Sequence, residues 1–282
     1  MNIQWYPGHM TKAKRMMQEN IKLVDVIIEL VDARIPISSQ NPDMANIAGQ
    51  KPRIVVFNKI DLADPARTNA FIKWYEERGA SVVLVNAKSG KGINQVMSKA
   101  LEVCKEKIER NRKRGLINKP IRAMVAGIPN VGKSTFINKL VGKASAKTGN
   151  KPGVTKGKQW IKLKKDVELL DTPGILWPKF EDQQVGINLA FIGSIRDEIL
   201  DTSELALMLI TYLKEHYEDL LIKRYQLENI SQKEPIEILE TIAKNRHFIQ
   251  SGNALDLNKA SKILLDEYRN GVLGRITLET VG

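Results

Sequence analysis

Residues 121–138 read IRAMVAGIPNVGKSTFIN, and the rest of the chain is organised around them. Residues 123–126 are an apolar run suited to a buried strand, and the run stops at Gly127. From there Gly127, Gly132, Lys133 and Ser134 fill the fixed places of G-x-x-x-x-G-K-S, and the stretch from Thr135 to Leu140 has helical character. Strand, glycine loop and helix in that order form the setting a phosphate-binding loop requires. The backbone N–H groups of Asn130, Val131, Gly132, Lys133, Ser134 and Thr135 can turn inward as a nest for polyphosphate oxygens, with the positive end of the helix behind them. Glycine matters because a Cβ would block the close approach of backbone to phosphate. Lys133 would neutralise the β and γ oxygens, and the Ser134 hydroxyl would ligate Mg²⁺. The bland alternative is a chance match on a glycine-rich turn, which leaves the flanking strand and helix unexplained.

The 282 residues suffice for a full α/β domain and a second, smaller one. With 43% apolar and 27% charged residues, the composition is that of a soluble globular protein. The longest nearly uncharged apolar run, Leu205 to Leu213, is too short to span a bilayer. The opening MNIQWYPGHMTKAKRMM carries Pro7, Gly8 and His9 where a signal peptide needs an apolar core, so the expectation is a cytoplasmic chain without a membrane partner. Cys104 is the single cysteine. No disulfide framework or cysteine metal site follows from it, and a reducing compartment fits.

The net charge of +12 calls for a polyanionic partner. Lys139 to Lys165 holds nine lysines and no acidic residue, and Lys105 to Lys119 holds seven basic residues against two acidic ones. A charge run is ordinarily a solvated face. Nine like charges without one counter-charge repel each other unless an anion is near, and nucleic acid is the expected partner.

Taken in order, residues 11–22 suit a short basic helix. Val24 to Val31 and Arg53 to Phe57 read as strands buried on both faces, ending at Asp32-Ala33-Arg34 and Asn58-Lys59-Ile60-Asp61. Asp64-Pro65 opens a helix that Gly79 closes. Ser81 to Val85 is a third strand, ending at Asn86-Ala87-Lys88, and one long charged helix is expected from about Ile93 to Arg114. Beyond the glycine loop, residues 159–163 and 167–170 read as a pair of strands, the second delivering Asp171-Thr172-Pro173-Gly174. After Trp177 the pattern is helical, with amphipathic stretches at 204–217, 235–245 and 256–270 and Gly271 as a C-cap. The expected fold class is α/β, a mostly parallel sheet covered on both faces over residues 1–178, followed by an all-helical domain over 179–282.

Asn58-Lys59-Ile60-Asp61 is the base-selecting element. An ionised carboxylate only accepts hydrogen bonds. Guanine offers Asp61 two donors, whereas adenine offers an acceptor at the same ring nitrogen and no amine. Asn58 would read the opposite edge of the base, and the Lys59 stem would cover one face of the ring. A backbone N–H in Asn86-Ala87-Lys88 could meet the guanine carbonyl oxygen. Asp171 would hold Mg²⁺ through water, and the Gly174 N–H would sense the γ-phosphate. Thr155 is the candidate for capping Mg²⁺ and γ-phosphate together; the alternative is an ordinary turn threonine, with Thr148 nearby.

These residues resemble those of a GTPase in a rotated order, with NKID and NAK ahead of the glycine loop, and the chain resembles the circularly permuted GTPases. WYPGHMTKA at the start, GIPNVGKST, KPGVTKG and GVLGRITLE near the end resemble the ribosome biogenesis GTPase A family over essentially the whole length. The resemblance implies a cytoplasmic GTPase binding GTP and GDP with Mg²⁺, acting in assembly of the large ribosomal subunit. Its implied partners are the rRNA and ribosomal proteins of the precursor, contacted in part by the helical domain, and a monomer is expected. Many GTPases place a glutamine after the DxxG glycine to orient water; here that position is Ile175, followed by Leu176, as in the family. Of His9, His216 and His247, His9 is chosen to position or deprotonate the water, with Asn130 holding a K⁺ ion as in related GTPases. The alternatives for His9 are an RNA contact or packing beside Trp5. Two other functional readings stay open at this level: an RNA-binding assembly scaffold in which hydrolysis is incidental, and a small-molecule phosphotransferase, which NKID disfavours.

Overall fold

The computed structural model describes residues 15, 17–42, 44–116, 119–142, 159–163, 167–171 and 182–281. The chain separates into two compact units, one within Trp5–Lys179 joined by Glu279–Gly282, the other within Phe180–Leu278. The last residues therefore group with the first unit rather than with the helical one, where the sequence analysis put them.

The first unit holds one six-stranded sheet. Its strands are β1 (Val26–Asp32), β2 (Arg53–Asn58), β3 (Ser81–Leu84), β4 (Ile121–Gly127), β5 (Gln159–Lys162) and β6 (Val167–Asp171), in the order β3-β2-β1-β4-β6-β5. Among the described residues only the β5–β6 pair is antiparallel. The apolar runs of β1 and β4 lie side by side at its centre because both of their faces can be buried there. On one face Ile27, Met124, Ala126 and Leu170 pack against Met17, Ile21, Met44 and Ala48. Further along, Val31, Val55 and Phe57 pack against Ala63, Phe71 and Tyr75.

Helix α1 is Met44–Ala48, and α2 is Pro65–Glu77. The Asp64 carboxylate caps α2, accepting from Ala66 N at 2.8 Å and Arg67 N at 3.3 Å, and Pro65 supplies the preset φ of a first helical position. The long helix expected over 93–114 is two helices, α3 (Ile93–Val103) and α4 (Lys105–Lys113), joined at Cys104 where ψ falls to 7°. The reason is surface: α3 carries Ile93, Val96 and Ala100 onto the sheet, whereas KEKIERNRK buries only Asn111. Helix α5 (Lys133–Val141) follows the glycine loop.

The second unit is helical: α6 (Gln183–Phe191), α7 (Thr202–His216), α8 (Glu218–Tyr225), α9 (Pro235–Asn245) and α10 (Leu257–Arg269). Asp201 and Asp256 cap α7 and α10, and Gly271 lies just past α10 at φ +74°. Helix α7 is the hub, packing on α6, α8, α9 and α10 through residues such as Leu205, Leu209 and Leu213. Arg224 and Tyr225 of α8 both bond to Glu267 of α10, the tyrosine at 2.8 Å. Among the described residues no helix is long and apolar enough to cross a membrane.

The loop after β1 has no strand partner, so its backbone N–H groups are satisfied by carboxylates and by its own turns. Arg34 N donates to Asp32 Oδ1 (3.1 Å) and Asn41 N to Glu29 Oε1 (3.2 Å). Ile37 N and Ser38 N donate to the two oxygens of Glu279, at 2.7 and 2.8 Å, and the Ser38 hydroxyl donates to the same carboxylate. Val281 packs against the buried cluster of Val31, Val55, Phe57, Phe71 and Tyr75 on the same unit. These contacts are why the last residues belong to the sheet unit. Ser38 is 3% exposed, so water cannot easily replace the carboxylate on its N–H. Glu279→Ala is therefore expected to destabilise the sheet unit by about 1–3 kcal/mol. Thermal unfolding followed by near-ultraviolet signal would check it, and an unchanged midpoint would refute the role given to Glu279.

Candidate nucleotide site

Parallel strands deliver their following loops to the same sheet edge, and here β1, β2, β3, β4 and β6 bring their C-terminal ends together. β4 releases the glycine loop. Gly127 has to lack a side chain, since a Cβ would lie 2.9 Å from Val131 Cγ1 and 3.0 Å from the Leu30 carbonyl oxygen. Asn130 (φ +60°) and Gly132 (φ +98°) turn the loop through the left-handed region. α5 then starts at Lys133 without a side-chain cap, and a helix N-terminus favours a bound anion. Lys133 is 7% exposed, Ser134 is half-buried and Thr135 exposed. A backbone cradle, a buried lysine and a helix N-terminus together fit a polyphosphate.

The loops expected to meet the base follow β2 and β3. Asn58, opposite Asp32 in the β1–β2 register, is 2% exposed. Its amide donates to Val131 O at 2.8 Å, and its carbonyl accepts from Ala87 N at 3.0 Å. The side chain expected to read the far edge of the base is thus turned into the protein, where it pins the glycine loop to the Asn86-Ala87-Lys88 loop. Lys59 adopts φ +60°, and its ammonium donates to Asn130 O at 2.8 Å, stretching the stem along the site. Asp61 is exposed on the same loop. Asn86 closes its turn through Ser89 N (3.0 Å) and Gly90 N, and Lys88 is exposed. Gly92 follows with φ +81°, where a Cβ would sit 2.0 Å from the Leu84 carbonyl oxygen.

Asp171 ends β6 opposite Val125 of β4, so the Asp171-Thr172-Pro173-Gly174 segment starts beside the glycine-loop strand. An aspartate at that strand end and the Ser134 hydroxyl are hard oxygen donors of the kind Mg²⁺ takes. His9, Thr148, Thr155, Gly174, Ile175 and Leu176 lie outside the described residues.

A buried charge cluster beside the site escaped the reading of the sequence. Asp32 is fully buried at the end of β1, and Arg34 grips it through Nε and Nη2, both at 2.9 Å, while Lys59 Nζ stands 3.0 Å from its Oδ2. Burial alone would raise the Asp32 carboxyl, but the Arg34 guanidinium and the Lys59 ammonium override it and hold the group below the usual carboxylate range. The signal was present as a charged D-x-R directly after an apolar strand.

The family model described as 50S ribosome-binding GTPase matches residues 122–244, and the RsgA GTPase model matches 11–181, spanning NKID and the glycine loop in that order. Ribosome biogenesis GTPase A of Bacillus cereus is 47% identical over 280 residues, covering 99% of this chain and 94% of that one. The protein of the same name from Priestia megaterium is 46% identical over 281 residues, covering 99% and 97%. The chain belongs to the ribosome biogenesis GTPase A family. Among solved structures, GNP-bound YlqF from T. maritima superposes with a TM-score of 0.66 at 25% identity, covering 95% of this chain and 98% of that one. The GDP-bound TM YlqF structure gives 0.68 at 23% identity, with 94% and 99% covered. As a member of the ribosome biogenesis GTPase A family, the chain has the circularly permuted P-loop GTPase fold, binds guanine nucleotide and hydrolyses GTP.

Asp61→Asn is expected to weaken GTP binding and improve binding of xanthosine triphosphate, because xanthine presents an acceptor where guanine carries its amine. A nucleotide titration of the variant decides it; unchanged GTP affinity would remove Asp61 from the base site.

Proposed function

We propose that the chain is a GTP-hydrolysing assembly factor for the large ribosomal subunit, binding the rRNA and proteins of its precursor in a nucleotide-dependent way. The observation that carries this reading is the gathering of NKID, NAK, the glycine loop and Asp171 at one sheet edge, in a chain whose relatives across its full length are named for ribosome biogenesis. The net charge of +12 supports a phosphate-rich partner. The unit within Trp5–Lys179 is the GTPase domain, and the helical unit within Phe180–Leu278 contacts the particle.

In this reading Lys133 neutralises the β and γ oxygens, and the N–H groups of residues 130–135 cradle them. Ser134, Thr155 and Asp171 hold Mg²⁺, which when bound offsets charge on the β- and γ-phosphates. Thr155 and the Gly174 N–H sense the γ-phosphate, and Asn130 holds a K⁺ ion. Ile175 cannot bond a water, so His9 positions it. Asp61, the Lys59 stem and the backbone of Asn86-Ala87-Lys88 select guanine.

Binding to large-subunit precursors is expected to be strong with a non-hydrolysable GTP analogue, weak with GDP, and to fall steeply with salt as counterions are no longer released to advantage. Co-sedimentation at two salt concentrations with each nucleotide tests this, and equal pelleting with both would eliminate nucleotide gating. That outcome would favour a scaffold in which hydrolysis is incidental.

His9→Ala is expected to keep nucleotide affinity while losing about 10²-fold or more of the particle-stimulated turnover, the usual worth of a positioned acid–base group. Phosphate release with and without large-subunit particles measures it, and full stimulation in the variant would exclude His9.

A further inference from the structure

The base-selecting loop leans on a residue outside every nucleotide motif. The Lys59 ammonium is anchored by the carbonyl oxygen of Asn130 in the glycine loop and by the Asp32 carboxylate. Asp32 is the last residue of β1, fully buried and opposite Asn58 in register, so its position is set by the sheet itself. A neutral buried pair would need one cation, and Arg34 already supplies it with both side-chain contacts at 2.9 Å and a backbone bond at 3.1 Å. Lys59 is a second cation on the same carboxylate, and Asp61 of its own loop also acts on it. It is also the residue whose φ of +60° is uncommon for a side chain of its size. The Asp32 amide in turn donates to Ser39 Oγ at 2.9 Å, fixing the strand end against the following loop.

We infer that Asp32 is a positioning residue of the nucleotide site. Its carboxylate clamps the Lys59 ammonium against the Asn130 carbonyl, so that the lysine stem stands as a fixed wall for the base and the base loop moves as one piece with the phosphate loop. The inference rests on the guanine-site reading above. Without the clamp, Lys59 would keep a single neutral acceptor and its stem would sample other rotamers before the base arrives, a cost levied on binding.

The experiment is a titration of the full chain with a fluorescent GDP analogue, each variant first checked by thermal melting. Asp32→Asn alone leaves Arg34 buried without its carboxylate and can fail to fold. The measurement therefore also uses Arg34→Met, in which Asp32 still holds Lys59, and the pair Asp32→Asn with Arg34→Met, which removes both buried charges. Arg34→Met is expected to keep affinity within about twofold, although its melting point falls; adding Asp32→Asn is expected to weaken binding about tenfold, the scale of one lost charge-assisted bond. Lys59→Met should weaken binding similarly, and combining it with the Asp32 change should add nothing, since the clamp then has nothing to hold. A merely structural Asp32 would weaken binding by the same factor with and without Lys59, and that result would overturn the proposal, as would undiminished affinity in the Asp32→Asn, Arg34→Met pair. Asp61→Asn in the same titration separates the two claims. If that variant keeps its affinity the guanine assignment fails, whereas loss there combined with no Asp32–Lys59 coupling fails the positioning role alone.

Discussion

One side-chain amide, that of Asn58, ties together the loops on which the GTPase site depends. It links β2 to Val131 O, 73 residues further along the chain, and to Ala87 N, 29 residues further along. Three loops from three strands are held in register by two hydrogen bonds enclosed from water, where each is worth more than at the surface and more costly to lose. The arrangement also explains Gly132. A Cβ there would come within 2.4 Å of the Asn58 amide nitrogen, so the glycine serves the bridge as well as the phosphate approach. The bridge sets a fixed distance between the glycine loop and the loops that follow β2 and β3.

Sheet adjacency, not chain order, sets that geometry. β1, β2 and β3 precede β4 in the sequence, yet β4 lies between β1 and β6, and every strand bearing a motif points the same way. Rotating the chain start around such a sheet leaves each loop where it was, because the apolar strands find partners by burying both faces. What changes is which segments are joined: here β6 leads onward towards the helical unit, and residues 279–281 come back to the first.

The parts legible in the sequence were those whose information is local. Strands showed as apolar runs, α2 by its Asp64-Pro65 start, α9 and α10 as amphipathic stretches, the latter with Gly271 beyond its end. The glycine loop showed because its backbone geometry demands fixed residue types at fixed spacing. The misses were of two kinds. Helix α6 (QQVGINLAF) is buried almost throughout from Gly186 to Phe191, so it has no polar face to set a period. Asp32, Asn58 and Glu279 do their work across 27, 73 and 241 residues of chain, and no spacing rule reaches that far.

The loop between Asp32 and Asn41 shows how those long-range contacts add up. Three carboxylates border it: Asp32 at its start, Glu29 at its end, and Glu279 from far along the chain. They are not alike. Two cations hold Asp32 below the usual carboxylate range, so its contribution to stability is present at neutral pH and is lost only as the solution turns strongly acid. Glu29 is buried on β1 with Arg53 3.6 Å away at its nearest, and burial outweighs that partner and pushes its carboxyl up. Its ionised form is therefore a liability that grows as pH rises through its raised pKa, the opposite sign to Asp32. A site that needed only rigidity would use apolar residues in both places. The loop instead spends buried charge on satisfying its own N–H groups, because a segment lying off the end of a strand has no ladder to supply acceptors. Asp32 is held in the same way, and its carboxylate also meets Lys59 of the loop after β2.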